Sequence, residues 1–294
     1  MGRSSIVRVW ARSFNSRTKE TLPGMDIVTL SVLKGRLEEI AEEMDVTLFR
    51  SAFNPVIAEA RDACHGLYDP ETGDTVIQGK KGMPVFVGVM AFAVKAVMNK
   101  IAELGGTQDG DVFLLNDPYL GGTHLNDVKL IRPVFVGERL LCFLASSGHW
   151  NDVGGNVPGN FNAASTETYQ EGVLVPPIRL VEAGRLQQDM VAMLMALSRT
   201  PTNCYGDLHG QINALSLGVE RVRELAKDYG VEALLEAFKQ LRDRASLLTR
   251  SAIAELPDGV YSYEDYMDND GIEDAPIRIA VDITIAGEEA TFDF

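Results

Sequence analysis

Apolar residues recur at helical spacing in five segments of the chain, and these segments predict its helices. The first helix begins after Asp26, whose carboxylate suits an N-cap, and it carries its leucines on one face. The other predicted helices cover residues 83–104, 188–198, 205–229 and 231–256. The helix over 83–104 is apolar around much of its circumference, which predicts that it is buried.

Short apolar runs and alternating patterns predict the strands. Residues 67–68 and 76–77 can pair as a hairpin, and residues 128–136 and 139–146 form a second strand–turn–strand unit. Single strands are predicted at 112–115, 261–266, 277–285 and 290–294. The alternation over 277–285 is typical of a half-buried strand. We therefore predict an α+β fold of mixed strands and helices.

The composition narrows the classes of partner and compartment. The 294 residues, 46% of them hydrophobic, suffice for one large domain or two ordinary ones. A net charge of −15 argues against nucleic acid or an anionic membrane as a partner. No apolar run reaches the roughly 18 residues that indicate a membrane span. The three cysteines lie far apart, so they imply no disulfide framework and favour the cytoplasm.

The two ends of the chain differ from the rest. Residues 1–24 carry five basic residues before the first acid, Glu20, with serines between them. This composition resembles a transit peptide, but a disordered extension or an upstream start codon accounts for it more simply. We expect the folded domain to cover residues 25–294. Because the last predicted strand has no turn after it, we also expect that domain to be truncated at its C-terminus.

Two glycine-rich polar segments carry the candidate chemistry, NDPYLGGTHLND at 116–127 and SSGHWNDVGG at 146–155. In the first, His124 and Asp127 are three residues apart beside a glycine pair. In the second, His149 follows a predicted strand–turn–strand unit that can return the chain to the same place. Two imidazoles and one carboxylate make a minimal site for Zn, Mn or Fe with open positions. The alternative, histidines that only make hydrogen bonds in loops, stays open.

Other polar residues are candidates for supporting roles. Asp62 is a candidate fourth metal ligand from an earlier loop, and Asp117 and Asp152 are candidates to orient the imidazoles. His65, beside the Asp62 loop, suits either an orienting or a structural role, and His209 suits a structural one. A thiol nucleophile at the cysteine next to His65 has no evident third partner. No phosphate loop or dinucleotide fingerprint is present, so any ATP would be bound by another chain.

The motifs of this chain resemble those of the hydantoinase B/oxoprolinase family. The resemblance covers nearly the whole chain from Met25 onward and rests on RDACHGLYD, NDPYLGGTHLND, GHWNDVGGNVPG, QEGVLVPP and RTPTNCYGDLHGQINA, in that order. Two positions depart from the family pattern, with Trp150 in place of a second histidine and His209 in place of an arginine. Both departures put the substrate in doubt.

The resemblance implies more than the spacing does. It implies the N-terminal portion of a larger hydantoinase B-type fold, working in a hetero-oligomer with a hydantoinase A-type subunit that uses ATP. It also implies ATP-dependent opening of small cyclic amides such as hydantoins or lactams. The metal ligands it implies are His124, Asp127, His149 and, less directly, Asp62. Two alternatives remain: a subunit of an acetone- or acetophenone-type carboxylase, and a non-catalytic assembly fragment.

Overall fold

The computed structural model of the protein describes residues 6–7 and 25–294. The chain divides into two compact units, Met25–Phe238 and a second unit that contains Lys239–Phe294. The predicted extension over residues 1–24 lies outside the described residues except for Ile6–Val7. The boundaries predicted for the extension and for a domain over 25–294 stay predictions.

The first unit combines helices with a mixed set of short and long strands. Its helices are α1 (Ile27–Ser51), α2 (Pro55–Ala58), α3 (Phe86–Glu103), α4 (Thr168–Glu171), α5 (Gln188–Ala196), α6 (Pro201–Tyr229) and the start of α7 (Val231–Ala254). The second unit begins with the strand β1 (Ile6–Val7) in chain order. The strands of the first unit are β2 (Ala63–Tyr68), β3 (Thr75–Gln78), β4 (Val112–Leu115), β5 (Asp127–Val136), β6 (Arg139–His149), β7 (Ile178–Glu182) and β8 (Arg185–Leu186).

These strands form one seven-stranded sheet in the order β3-β2-β6-β5-β4-β7-β8. Every neighbouring pair is antiparallel. The long hairpin of β5 and β6 therefore lies at the centre of the sheet, with strands on both sides. The predicted α+β class is confirmed.

Helices cover both faces of the sheet. On β6, Phe143 and Ala145 belong to the apolar cluster that includes Phe86 and Met90 of α3. Leu144 points to the opposite face because side chains alternate along a strand. There it approaches α6 so closely that a Cβ at Gly218 would lie 2.8 Å from Leu144 Cδ1. The sheet is therefore sandwiched between α3 and α6, and α1 packs on α6.

The local chemistry of α1 follows the prediction. Asp26 caps the helix, because its side chain accepts hydrogen bonds from the amides of Val28 and Thr29, both at 3.0 Å. Such a cap stabilises a helix by about 1 kcal/mol. The leucines of α1 are buried, and Leu33 and Leu37 have no exposed surface.

The second unit contains a four-stranded antiparallel sheet in the order β1-β11-β10-β9. The strands β9, β10 and β11 span Gly259–Met267, Ile277–Ala286 and Glu289–Asp293. The half-buried pattern predicted for β10 is wrong at its first end, because Ile277 and Ile279 are 38% and 49% exposed. The buried part of β10 lies toward its C-terminal end, where Ile285 is 5% exposed.

Several predicted elements differ from the structure. Helix α3 begins at Phe86 rather than residue 83, and it is buried on one face only, since Phe92 is 62% exposed. Pro201 opens α6 instead of separating two helices, because proline lacks the amide that the first turn leaves unpaired. In the described part of the chain, every helix is too short or too polar to cross a membrane.

Candidate metal centre

The centre of the site is a pair of residues on neighbouring strands. Asp127 is the first residue of β5 and His149 is the last residue of β6, and the two are direct partners in the antiparallel ladder. Partner residues point to the same face of a sheet, so the carboxylate and the imidazole lie side by side. His149 Nδ1 lies 3.5 Å from Asp127 Oδ1. The sequence predicted these residues in loops, and the structure places them on strand ends.

A tight turn brings His124 to the same pair. The amide of Asp127 donates to the carbonyl of His124 at 3.1 Å, which folds the chain back over β5. His124 Nδ1 then lies 3.2 Å from Asp127 Oδ2, and His124 Nε2 lies 3.0 Å from His149 Nδ1. The hydroxyl of Thr123 also donates to Asp127 Oδ2. The Asp127 carboxylate thus contacts two side chains of the turn that precedes it, those of Thr123 and His124.

Asp62 approaches from the other side of the hairpin. It is the residue before β2, which pairs with β6, and its carbonyl accepts the amide of His149 at 3.1 Å. Its carboxylate Oδ2 lies 3.6 Å from His149 Nδ1. The structure therefore brings three of the four predicted ligands, His124, Asp127 and His149, into one cluster, and it places Asp62 beside that cluster in contact with His149.

The arrangement of His124, Asp127 and His149 fits a divalent metal ion, because one ligand atom of each lies within 4.8 Å of the other two. Donor atoms about 2.1 Å from a tetrahedral ion lie roughly 3.4 Å from one another. The recorded separations from His149 Nδ1, at 3.0, 3.5 and 3.6 Å, bracket that value. Asp127 Oδ1 is buried and accepts no hydrogen bond among the described residues. A buried carboxylate oxygen without a donor is costly, and a cation would satisfy it.

The charged side chains of the site change one another's pKa values. Burial acts to raise the pKa of Asp127, but contacts with His124 and His149 and the charge of Lys129 outweigh it and hold the pKa at about 2. The contact with Asp127 raises the pKa of His124 above its ordinary value, against the effect of burial. Burial raises the pKa of Asp62, and the Asp127 charge adds to this effect while His149 opposes it. The site therefore attracts positive charge, whether protons or a metal ion.

A cleft opens directly over these residues. Its volume is about 630 Å³, and Asp62, His124 and His149 line its floor. Phe161 forms a wall, with its ring stacked on that of His149 at a centroid distance of 6.2 Å. The Phe161 side chain is 81% exposed, so it offers an apolar surface to a molecule in the cleft. A small ring of mixed polarity suits this combination of polar floor and aromatic wall.

The loop that carries Phe161 is held by a buried amide. Asn160, in a left-handed conformation with φ of 68°, donates to the carbonyls of Gly154 and Glu171 and accepts from Asn126 Nδ2. Asn126 in turn donates to the carbonyl of Trp150, next to the site histidine. The glycine-rich loop and the two site strands are thereby tied together.

The two residues predicted to orient the imidazoles make other contacts. Asp117 accepts from the amide of Tyr119 and caps a short 3-10 helix. Asp152 is buried, accepts from the amides of Gly154 and Gly159, and pairs with Arg199 at 3.1 Å. Neither carboxylate has a recorded hydrogen bond to His124 or His149, and both organise loops beside the site.

The remaining histidines have separate places. His65 is fully buried and bonded to Asp45 and Ser146, both at 2.9 Å, so its role is structural. His209 lies on α6 with its ring against Tyr205. Burial raises the pKa of the Cys64 thiol well above its ordinary value, which disfavours a nucleophilic role.

Two named proteins illustrate the sequences to which this chain is similar. The chain is 31% identical over 266 residues to caprolactamase subunit beta of Pseudomonas jessenii, covering 90% of this chain and 45% of that protein. It is 30% identical over 295 residues to 5-oxoprolinase 1 of Arabidopsis thaliana, covering 92% of this chain and 23% of that protein. The chain thus spans about half the length, or less, of these relatives.

Two solved structures are also similar to this chain. The ATP-dependent caprolactamase from Pseudomonas jessenii matches with a TM-score of 0.79 at 30% identity, over 90% of this chain and 45% of that chain. Nucleotide-free acetone carboxylase matches with a TM-score of 0.81 at 20% identity, over 89% of this chain and 36% of that chain, which shows a shared fold. The model of the family described as hydantoinase B/oxoprolinase matches residues 26–294. The chain therefore belongs to the hydantoinase B/oxoprolinase family.

Proposed function

We propose that this chain carries the metal centre of an ATP-dependent hydrolase that opens small cyclic amides. The observation that carries the proposal is the convergence of His124, Asp62 and Asp127 on Nδ1 of His149. The Oδ1 of Asp127 in this cluster is buried and accepts no hydrogen bond from the described residues. The named relatives support the reaction class, because they include a caprolactamase subunit and a 5-oxoprolinase.

In this proposal Asp62, His124, Asp127 and His149 hold one divalent ion, Zn, Mn or Fe. When bound, such an ion polarises an amide carbonyl or lowers the pKa of a water molecule. The chain itself supplies two negative charges and two imidazoles at fixed positions. Its strand pairing sets the Asp127–His149 distance before any ligand arrives, so binding requires little reorganisation.

The cleft supplies the substrate position. Phe161 would cover the apolar side of a lactam or hydantoin ring and exclude water from it, while the amide faces the polar floor. Asp117 and Asp152 would act by fixing the loops on either side, since their recorded contacts are within those loops.

ATP would be bound by a second, hydantoinase A-type subunit in a hetero-oligomer. The sequence contains no phosphate loop, and the solved caprolactamase is described as ATP-dependent. The partner would transfer the terminal phosphoryl group of ATP to the ring carbonyl oxygen and release ADP, which makes the amide carbon a better electrophile. Attack of water on that carbon would break the ring C–N bond and leave an acyl phosphate. A second water would hydrolyse the acyl phosphate to the open-chain acid and phosphate. The three cysteines are free and buried, which suits the reducing cytoplasm as the place of action.

The test is turnover of cyclic amides by the full chain together with an A-type subunit. We expect ring opening that needs ATP, and loss of turnover in the His124→Ala/His149→Ala variant. Turnover that requires bicarbonate and fixes it into product would replace the hydrolase with a carboxylase. Equal turnover by the variant and the wild type would contradict the site and leave the chain an assembly component.

A further inference from the structure

Helix α6 carries two buried polar side chains that bond to segments next to the proposed metal centre. Asp207 and Gln211 are four residues apart, so they lie on one face of the helix, one turn from each other. Both have no exposed surface. Apolar side chains would pack there without the cost of burying polar atoms, so the contacts these two residues make indicate their purpose.

Asp207 accepts hydrogen bonds from the segment between α1 and α2, which precedes Asp62 in the sequence. Its Oδ1 accepts the amides of Phe53 at 2.8 Å and of Asn54 at 3.2 Å. The side chain of Asn54 then donates to the carbonyl of His149 at 2.6 Å. A carboxylate on α6 thus holds the backbone of Asn54, and the Asn54 side chain holds the backbone of a proposed metal ligand.

The same asparagine also sets the position of Asp62. Asn54 Oδ1 accepts the amide of Val56 and caps the short helix α2. The amide of Asp62 donates to the carbonyl of Val56 at 3.0 Å, and the carbonyl of Asp62 accepts the amide of His149 at 3.1 Å. The hydrogen bonds therefore form a closed path from α6 through α2 to both ligands on that side of the site.

Gln211 holds the other half of the site. Its Nε2 donates to the carbonyl of Val128 at 3.0 Å, and its Oε1 accepts the indole N–H of Trp150 at 3.0 Å. Val128 follows Asp127, and Trp150 follows His149. One amide side chain thus bridges the residues next to the paired ligands, at the point where β5 and β6 separate.

We infer that Asp207 and Gln211 are positioning residues that fix the relative places of Asp62, Asp127 and His149. This inference rests on the proposed metal centre. It assigns to α6 the role of fixing the positions of the ligand residues relative to one another. Partners that orient ligands in this way change metal affinity by about 10- to 100-fold when they are lost.

The test compares four variants of the full chain. Asp207→Ala removes the acceptor of two amides, and Asp207→Asn keeps an oxygen in its place. Gln211→Ala removes the bridge between the strands. Leu215→Ala, one further turn along α6, is the matched control, because Leu215 is equally buried and apolar. Cobalt(II) titration measures metal affinity, and hydrogen exchange of the metal-free protein follows the amides of Asn54, Asp62 and His149.

We expect Asp207→Ala and Gln211→Ala to weaken cobalt binding by about 10- to 100-fold, and Asp207→Asn to bind within a few-fold of wild type. Exchange at the Asn54, Asp62 and His149 amides should rise in Asp207→Ala relative to the Leu215→Ala control. If Asp207→Ala does not fold, Asn54→Ala breaks the link to His149 and is compared in the same way.

Two results separate the inference from the proposed function. Exchange and cobalt affinity in Asp207→Ala that match Leu215→Ala overturn the inference while the metal centre stands. A wild-type chain that binds no cobalt, yet shows the local exchange change in metal-free Asp207→Ala, overturns the metal centre and supports the positioning role.

Discussion

Asp127 and His149 face each other across one rung of the antiparallel ladder between β5 and β6, with Asp127 Oδ1 3.5 Å from His149 Nδ1. Backbone pairing therefore holds two of the proposed metal ligands next to each other on one face of the sheet. The same strand pairing that forms the centre of the sheet therefore also positions these two side chains.

Removal of the Asp127 charge should abolish metal binding while the fold is retained. Asp127→Asn keeps the shape of the side chain, but it replaces one carboxylate oxygen with an amide that repels a cation. We expect metal affinity to fall by more than the roughly 100-fold that a lost orienting partner costs. Isothermal titration with zinc or manganese measures it. Glu138→Gln, at the exposed far end of the same hairpin, is the control and should bind like wild type.

The stability of the metal-free protein should depend on pH in two opposite ways. The pKa of His124 is raised in the folded state, so its contribution is full below its ordinary 6.5 and is lost as pH rises through the raised pKa. The pKa of Asp127 is lowered to about 2, so its contribution is present above its ordinary 3.8 and is lost as pH falls toward 2.

Above pH 6, metal affinity should rise with pH, whereas the His124 contribution to metal-free stability falls. A metal ion binds the deprotonated imidazole, so affinity should rise over the interval in which metal-free stability falls. Denaturant unfolding and metal titration at several pH values between 5 and 9 measure both. In His124→Gln the pH dependence of metal-free stability in this range should be reduced, and an unchanged profile would contradict the assignment.

Arg199 should be important for the glycine-rich loop beside the cleft. Its guanidinium pairs with the buried carboxylate of Asp152 and donates to the carbonyls of Gly154, Gly155 and Val157. Loss of these bonds in Arg199→Ala should reduce the free energy of unfolding by about 2 kcal/mol. Arg185→Ala, at an exposed position on β8, should change it by less than about 0.5 kcal/mol. Equal effects of the two substitutions in urea unfolding would contradict this role.

Gly121→Ala should be strongly destabilising for two separate reasons. Gly121 has φ of 104°, and a Cβ there would lie 2.2 Å from the backbone nitrogen of Ala93 in α3. We expect a loss of more than about 2 kcal/mol, from backbone strain and from displacement of α3. Gly137→Ala separates the two causes, because Gly137 has φ of 62° with no atom within 4 Å of an added Cβ. It should cost about 1 kcal/mol in thermal unfolding.

The sequence predicted the elements well because their signals are local. The cap at Asp26, the hairpin of β2 and β3, and the β5–β6 unit each follow from turn residues and apolar periodicity within a few positions. Burial was harder to predict. The apolar face of α3 that includes Phe92 is exposed in the structure, because composition alone does not state which face a sheet covers.

The four candidate ligands came from two histidine motifs and one earlier aspartate. The structure clusters His124, Asp127 and His149 and places Asp62 beside His149. The residues behind them were missed, among them Asn54, Thr123 and Phe161. Asp207 and Gln211 carried a detectable signal, since two polar residues at a spacing of four interrupt an apolar helix face. Phe161 carried none, because its place over His149 depends on the fold of a long irregular loop.

The most direct test is the metal content of the full chain, co-purified with the proposed A-type subunit and measured by mass spectrometry. We predict about one divalent ion per chain in the wild type and none in the His124→Ala/His149→Ala variant. Metal-free wild type that also fails to take up zinc, manganese or iron, or a variant that retains stoichiometric metal, would contradict the central claim.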